Sequence, residues 1–268
     1  MLMSFLEYDF FRNALLGIIL ISIPAAIIGT YIITRRMVAI TGGITHSCFG
    51  GLGLGYFLGM NPIVMAAIFA VISAVGVEWM AAKYRVRRDS AIAVVWALGM
   101  AVGVLFVFLT PGYVPELNAF LFGNILTITV ADLYIFSSFT ILLVIFYAIF
   151  SDKIIAVAFD RDFAAVAGLP VRFINFSMSV IVAICVVLTI KLVGIMLLMS
   201  MISLPPMISE TFSARYKVIT LASVSVSLIT CVGGLFISAY IDVPCSAVIV
   251  ILQVVLFVLS RLIYLFRK

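Results

Sequence analysis

The single histidine of the chain, His46, stands in the stretch AITGGITHSCFGGLGLGYFLG at 39–59, where seven of twenty-one residues are glycine. Neutral imidazole is a common ligand for zinc, copper, iron and nickel. Thr45, Ser47 and Cys48 add hydroxyl and thiol atoms beside it. One histidine cannot close a tight zinc site, which wants about four ligands, but a site that only passes an ion along can do with fewer. An alternative stays open on the residues alone: an imidazole hydrogen-bonded to a backbone carbonyl loosened by Gly42-Gly43. Met196, Met199, Met201 and Met207 could present thioethers to Cu(I) or simply fill gaps. Glu78 could snorkel or pair with Lys83, and Asp242 could guide a cation or cap the last helix. The cysteines Cys48, Cys185, Cys231 and Cys245 form no CxxC pair and read as small hydrophobes. No Walker A, Ser-His-Asp or HExxH pattern occurs, so neither an ATPase nor a protease, and no enzyme, is expected on this chain.

The elements that must position these residues are apolar. Of 268 residues, 66% are hydrophobic and 10% charged, against about 25% charged in soluble domains. A membrane-spanning helix takes about 20 apolar residues. Apolar runs at 10–34, 41–59, 62–82, 90–110, 129–150, 173–190, 194–211, 217–239 and 244–264 predict an all-α polytopic bundle of about nine spans. It forms a single membrane domain over 1–268, with the 194–211 span distorted by Pro205-Pro206. The first run, followed and not preceded by basic residues, reads as a span and not as a cleaved leader. With the N-terminus outside and the C-terminus cytoplasmic, 14 of the 16 Lys and Arg residues fall inside, all but Arg12 and Lys191. That is the positive-inside bias. It makes the net charge of +5 a topology signal, with lipid and not nucleic acid as the surrounding partner. Whether 111–128 is re-entrant stays open.

Gly51, Gly55 and Gly59 repeat every four residues, a spacing that lets a neighbouring helix approach closely. His46, Gly50, Gly53 and Phe57 share a different face, so the helix is thin on two sides. In the longest cytoplasmic connection, Asp160 is a candidate N-cap, while Gly168 and Pro170 end the element. The spacing predicts a short helix from Asp160 to Ala167, with Phe159 and Phe163 on one face. Such a helix can dock in a partner's groove, or lie against the membrane surface or its own bundle.

Taken together, RRMVAITGGITHS at 35–47, DSAIAVVWALGMAVGV at 89–104, LFGN at 121–124, FDRDFAAVAGLPV at 159–171, VGIMLLMSMISLPP at 193–206 and GLFISAYIDVPCSAVIV at 234–250 resemble the permease subunit of bacterial ABC importers for zinc and manganese. The resemblance implies a homodimer in the bacterial plasma membrane. It implies two copies of a separate cytoplasmic ABC ATPase and an extracytoplasmic metal-binding protein. On that pattern 160–168 is the coupling helix seated on the ATPase, with Phe159, Asp160, Phe163 and Gly168 in its contact. His46 matches the family's histidine in the second span, on the cation path. Thr45, Ser47, Cys48 and Asp242 are further path candidates. The divalent cation is cargo, held transiently, and no resident cofactor is expected. One position departs from the pattern: the family commonly has aspartate four residues before the histidine, and here Gly42 stands there. Carboxylate suits manganese and imidazole suits zinc, so zinc is the expected cargo.

Two other classes compete. A gradient-driven metal transporter would carry several intramembrane ionisable groups, and this chain offers His46 and Glu78. A membrane assembly protein without cargo would be a sealed bundle. An ABC permease for an iron chelate is close in logic but would need a wide vestibule.

Overall fold

The structure, a computed structural model, describes residues 7–84, 86–111, 123 and 125–267. Among these residues every regular element is helical. In chain order they are α1 Asp9–Thr34, α2 Ala39–Leu58, α3 Pro62–Lys83, α4 Arg88–Leu109, a 3₁₀ turn Ile125–Thr127, α5 Val130–Phe159, α6 Arg161–Val166, α7 Val171–Glu210, α8 Tyr216–Ile241 and α9 Cys245–Arg267. Of the stretch 111–128, residues 112–122 and 124 lie outside the described residues.

Seven of these helices, α1, α3, α4, α5, α7, α8 and α9, are long and apolar enough to cross a bilayer. α2 is not among them, because its glycines, threonines, serine and histidine lower its hydropathy. It does not need an apolar surface. Fourteen of its residues, from Ile40 to Gly55, are buried. A helix enclosed by protein can be polar where a lipid-facing one cannot. α4, α5 and α9, by contrast, leave most of their apolar surface exposed.

α7 has 40 residues. At about 1.5 Å per residue it runs about 60 Å, twice the hydrocarbon thickness. It is broken at Gly194, whose φ of 80° and ψ of 173° are not helical. The distortion expected at Pro205-Pro206 falls here instead, and the helix continues through both prolines. Pro206 cannot donate to the Ile202 carbonyl. Gly29 of α1 lies against that carbonyl, where any Cβ would collide with it.

The chain divides into two compact units, one of residues 1–33, 118–149 and 192–268, the other of 34–117 and 150–191. In the first, the Phe11 and Phe236 rings meet at 5.4 Å between centroids. Asn13 Nδ2 donates to the Ile128 carbonyl at 3.2 Å. Gly123, with φ +58°, backs onto the broken backbone at Val193 and Gly194, so two of the motifs picked out in the sequence touch. Gln253 Nε2 donates to Thr230 Oγ1 at 3.1 Å, tying α9 to α8. Buried hydroxyls mostly return to their own helix, as Ser22 does to the Ile18 carbonyl at 2.8 Å. That satisfies them where no water competes.

In the second unit α2 packs between α3 and α4. A tight turn joins α2 to α3. Gly59, φ +64°, closes α2 with its N–H on the Gly55 and Tyr56 carbonyls. Asn61 then caps α3, its Oδ1 accepting from the Ile63 and Val64 amides at 3.0 and 3.3 Å. Pro62 sits where no amide donor is required.

Candidate functional site

The two thin sides of α2 set the site. Toward α3, Gly51 faces the backbone of Met65 and Ala66, and a Cβ on Gly55 would stand 2.8 Å from the Pro62 Cα. Gly59 differs from these two: nothing lies within 4 Å of its would-be Cβ, and its role is the left-handed end of the helix. Toward α4, Gly53 meets Gly103, and Gly99 meets the Ser47 backbone. Small residues from both helices thus let the two backbones touch.

This seam carries His46 onto α4. The imidazole stacks on the Trp96 indole, centroids 4.4 Å apart and planes 12° from parallel. Phe49 lies further off, at 6.0 Å. His46 Nδ1 is buried and has no hydrogen-bond partner. Nδ1 is therefore not bonded to a backbone carbonyl loosened by Gly42-Gly43. Thr45, Ser47 and Cys48 are buried, but they do not gather round the imidazole as donors. Ser47 Oγ and Cys48 Sγ both donate to the Ile44 carbonyl, at 2.8 and 3.1 Å. Thr45 Oγ1, and Thr41 Oγ1 one turn before it, are buried without a partner. That is unusual, since helical threonines ordinarily bond back to the preceding turn. Among the described residues no three His, Cys, Asp or Glu side chains converge as a metal cluster. The arrangement offers one imidazole nitrogen; the Thr41 hydroxyl stands about 140° away round the helix and does not join it, so a cation here would be held weakly and in passing.

Glu78 does not pair with Lys83. Its carboxylate lies 3.7 Å from Arg35 and 3.4 Å from Arg88, and Arg35 also donates to Asn175 Oδ1 at 3.0 Å. Lys83 instead stands over the Trp79 and Tyr84 rings, 5.2 and 5.7 Å from their centroids. Sequence reasoning missed the roles of Trp96 and Asn175, and it counted Arg88 only towards the inside charge. It read Arg35 only as a topology signal, and no short-range spacing links these positions.

α6 is short and built by its caps. Asp160 Oδ1 accepts from the amides of Asp162 and Phe163 at 3.0 and 2.9 Å. Gly168, φ +74°, lies just beyond its end, its N–H bonded to the Ala165 carbonyl at 3.1 Å. Phe159, Phe163 and Val166 are exposed, Val166 by 90%. Asp242 is exposed and takes the left-handed C-cap of α8, φ 54°, with its N–H on the Ser238 carbonyl. The four methionines do not share one face: Met196, Met199 and Met207 fall on one side of α7, exposed or half-buried, whereas Met201 is buried on the other.

Comparison with known proteins matches these elements throughout. The model of the ABC 3 transport family matches residues 7–264. A Chlamydia pneumoniae protein named as a probable metal transport system membrane protein is 33% identical over 87% of this chain and 81% of its own. The Listeria innocua manganese transport system membrane protein MntC is 27% identical over 96% of this chain and 91% of its own. Among solved structures, PsaBC from Streptococcus pneumoniae in complex with Fab superposes with a TM-score of 0.83 at 25% identity, covering 97% of this chain and 95% of that one. Apolar helices of spanning length, matched by the family model nearly from end to end, make this chain a multi-pass bacterial membrane protein that belongs to the ABC 3 transport family.

Proposed function

We propose that the chain is the permease subunit of an ATP-driven importer of divalent metal cations, working as a homodimer. It would be driven by a separate cytoplasmic ATPase dimer and fed by an extracytoplasmic binding protein. The observation that carries the ATPase coupling is α6, a capped two-turn element whose Phe163 and Val166 are exposed. Exposed aromatics on a short rigid helix suit a groove on a partner. Adding α2 to the seven apolar helices, and counting α7 as two spans divided at Gly194, supports nine spans. An odd number puts the termini on opposite sides, and the bias of 14 basic residues of 16 supports the N-terminus outside, with the C-terminus and α6 on the cytoplasmic face. Both compact units then belong to one permease domain.

In this reading the cation passes His46 with Thr45, Ser47 and Cys48 nearby, Asp242 lies at the outer mouth, and ATP turnover moves the spans through α6. Weak coordination serves passage, because an ion held tightly cannot leave. We favour zinc over manganese. Imidazole suits zinc, and no carboxylate stands at Gly42. The relative named for manganese makes competition between the two ions the deciding measurement for the cargo.

The class is tested by reconstitution with a partner ATPase and binding protein that co-purify with the chain. Uptake into vesicles is expected to require ATP. Phe163→Ala is expected to weaken the ATPase's hold about 10-fold, from about 1.5 kcal/mol of lost aromatic burial. Uptake driven by an ion gradient without ATP would discard the proposal.

A further inference from the structure

A metal-binding histidine is ordinarily fixed in plane by a hydrogen bond to its second nitrogen, from a carboxylate, a carbonyl or water. His46 shows no such partner on Nδ1, which is buried. The side chain that does hold the ring is Trp96, parallel to it within 12° at 4.4 Å. The indole is itself kept in register by the α2–α4 seam, where Gly99 meets Ser47 and Gly103 meets Phe49. Trp96 is 37% exposed, so the stack is not closed off by protein on every side.

We propose that Trp96 is a positioning residue for the transported cation. Its face sets the plane of the His46 imidazole and stabilises that ring when coordination draws positive charge onto it. An indole face attracts positive charge through its quadrupole, more strongly than the other aromatic rings. A carboxylate bonded to Nδ1 would do this with a full charge, and Nδ1 has no such partner. The quadrupole is weaker, which keeps the ion's hold loose enough for release. Trp96 touches the ligand and not the ion, so it tunes affinity without adding a donor. The inference rests on His46 lying on the cation path.

The test uses the full-length permease in detergent. Binding of radiolabelled zinc is measured for wild type, His46→Ala, Trp96→Leu and Trp96→Phe. Trp96→Leu is expected to weaken the His46-dependent binding about 3- to 10-fold, while Trp96→Phe, which keeps an aromatic face, stays near wild type. A second readout uses Trp79→Phe, which leaves Trp96 as the only indole of the two in the chain. Added Co²⁺, whose open d shell quenches a nearby indole, is expected to quench Trp96 saturably, and the further change His46→Ala is expected to abolish that quenching. Should His46→Ala remove zinc binding while Trp96→Leu leaves it unchanged, or Co²⁺ leave Trp96 bright, the positioning role is overturned and the cation-path reading survives. Should His46→Ala itself leave binding unchanged, both fall. If Trp96→Leu does not fold, the cobalt measurement on the intact stack still decides.

Discussion

Gly99→Ala is expected to abolish recovery of folded protein, or to lower its stability by about 3 kcal/mol, the upper end of overpacking costs. The added Cβ would land on the Ser47 backbone and 2.8 Å from the Ser47 Cβ. A side-chain tip could swing aside, but two helix backbones in contact can only separate. Separation would open the seam at Gly53 and Gly103 as well and lift His46 from Trp96. The control is the same substitution at Gly76 of α3, where nothing lies within 4 Å. There alanine is expected to be neutral or to stabilise by up to about 1 kcal/mol, since glycine is the poorer helix former. Unfolding midpoints in detergent compare the two. Equal midpoints would mean that α2 and α4 do not meet as described.

Glu78→Gln is expected to cost about 3–5 kcal/mol, the range for breaking a buried ion pair from one side. The side chains of Arg35 and Glu78 are 4% and 12% exposed, and that of Arg88 25%, so water screens the cluster little. Amide in place of carboxylate leaves two guanidinium charges facing each other. Removing one of them, as in Glu78→Gln with Arg88→Gln, is expected to recover part of the loss. A double-mutant cycle on unfolding midpoints measures the coupling. A Glu78→Gln protein as stable as wild type would show the cluster to be solvated.

What the sequence made legible follows from which signals are local. Asp160 and Gly168 act within a few residues of themselves, so the caps of α6 could be read directly, and the structure places them at its two ends. The two faces of α2 follow from the 100° step, and Gly51 and Gly53 do face different neighbours. Pairings across the fold could not be read. Glu78 has Lys83 five residues away, yet its partners are Arg35 and Arg88, because the helices that meet are decided by packing and not by spacing. Trp96 was hidden for the same reason: its meaning comes from an imidazole fifty residues earlier. The prolines misled where Gly194 decided, since a helix can lose two amide donors and continue, whereas a backbone with ψ of 173° has left the helix altogether.

The enclosure of α2 has a consequence for biogenesis. A segment this poor in apolar residues gains little by partitioning into lipid alone, with glycines and a histidine where a lone insert would carry leucine. It is joined to the strongly apolar α3 by the three residues Gly59, Met60 and Asn61, with a cap on either side. The two are therefore expected to leave the translocon as a helical hairpin, α3 drawing α2 in behind it. Insertion scored for residues 39–58 alone and for 39–83 together would expose that dependence: the first failing, the second succeeding.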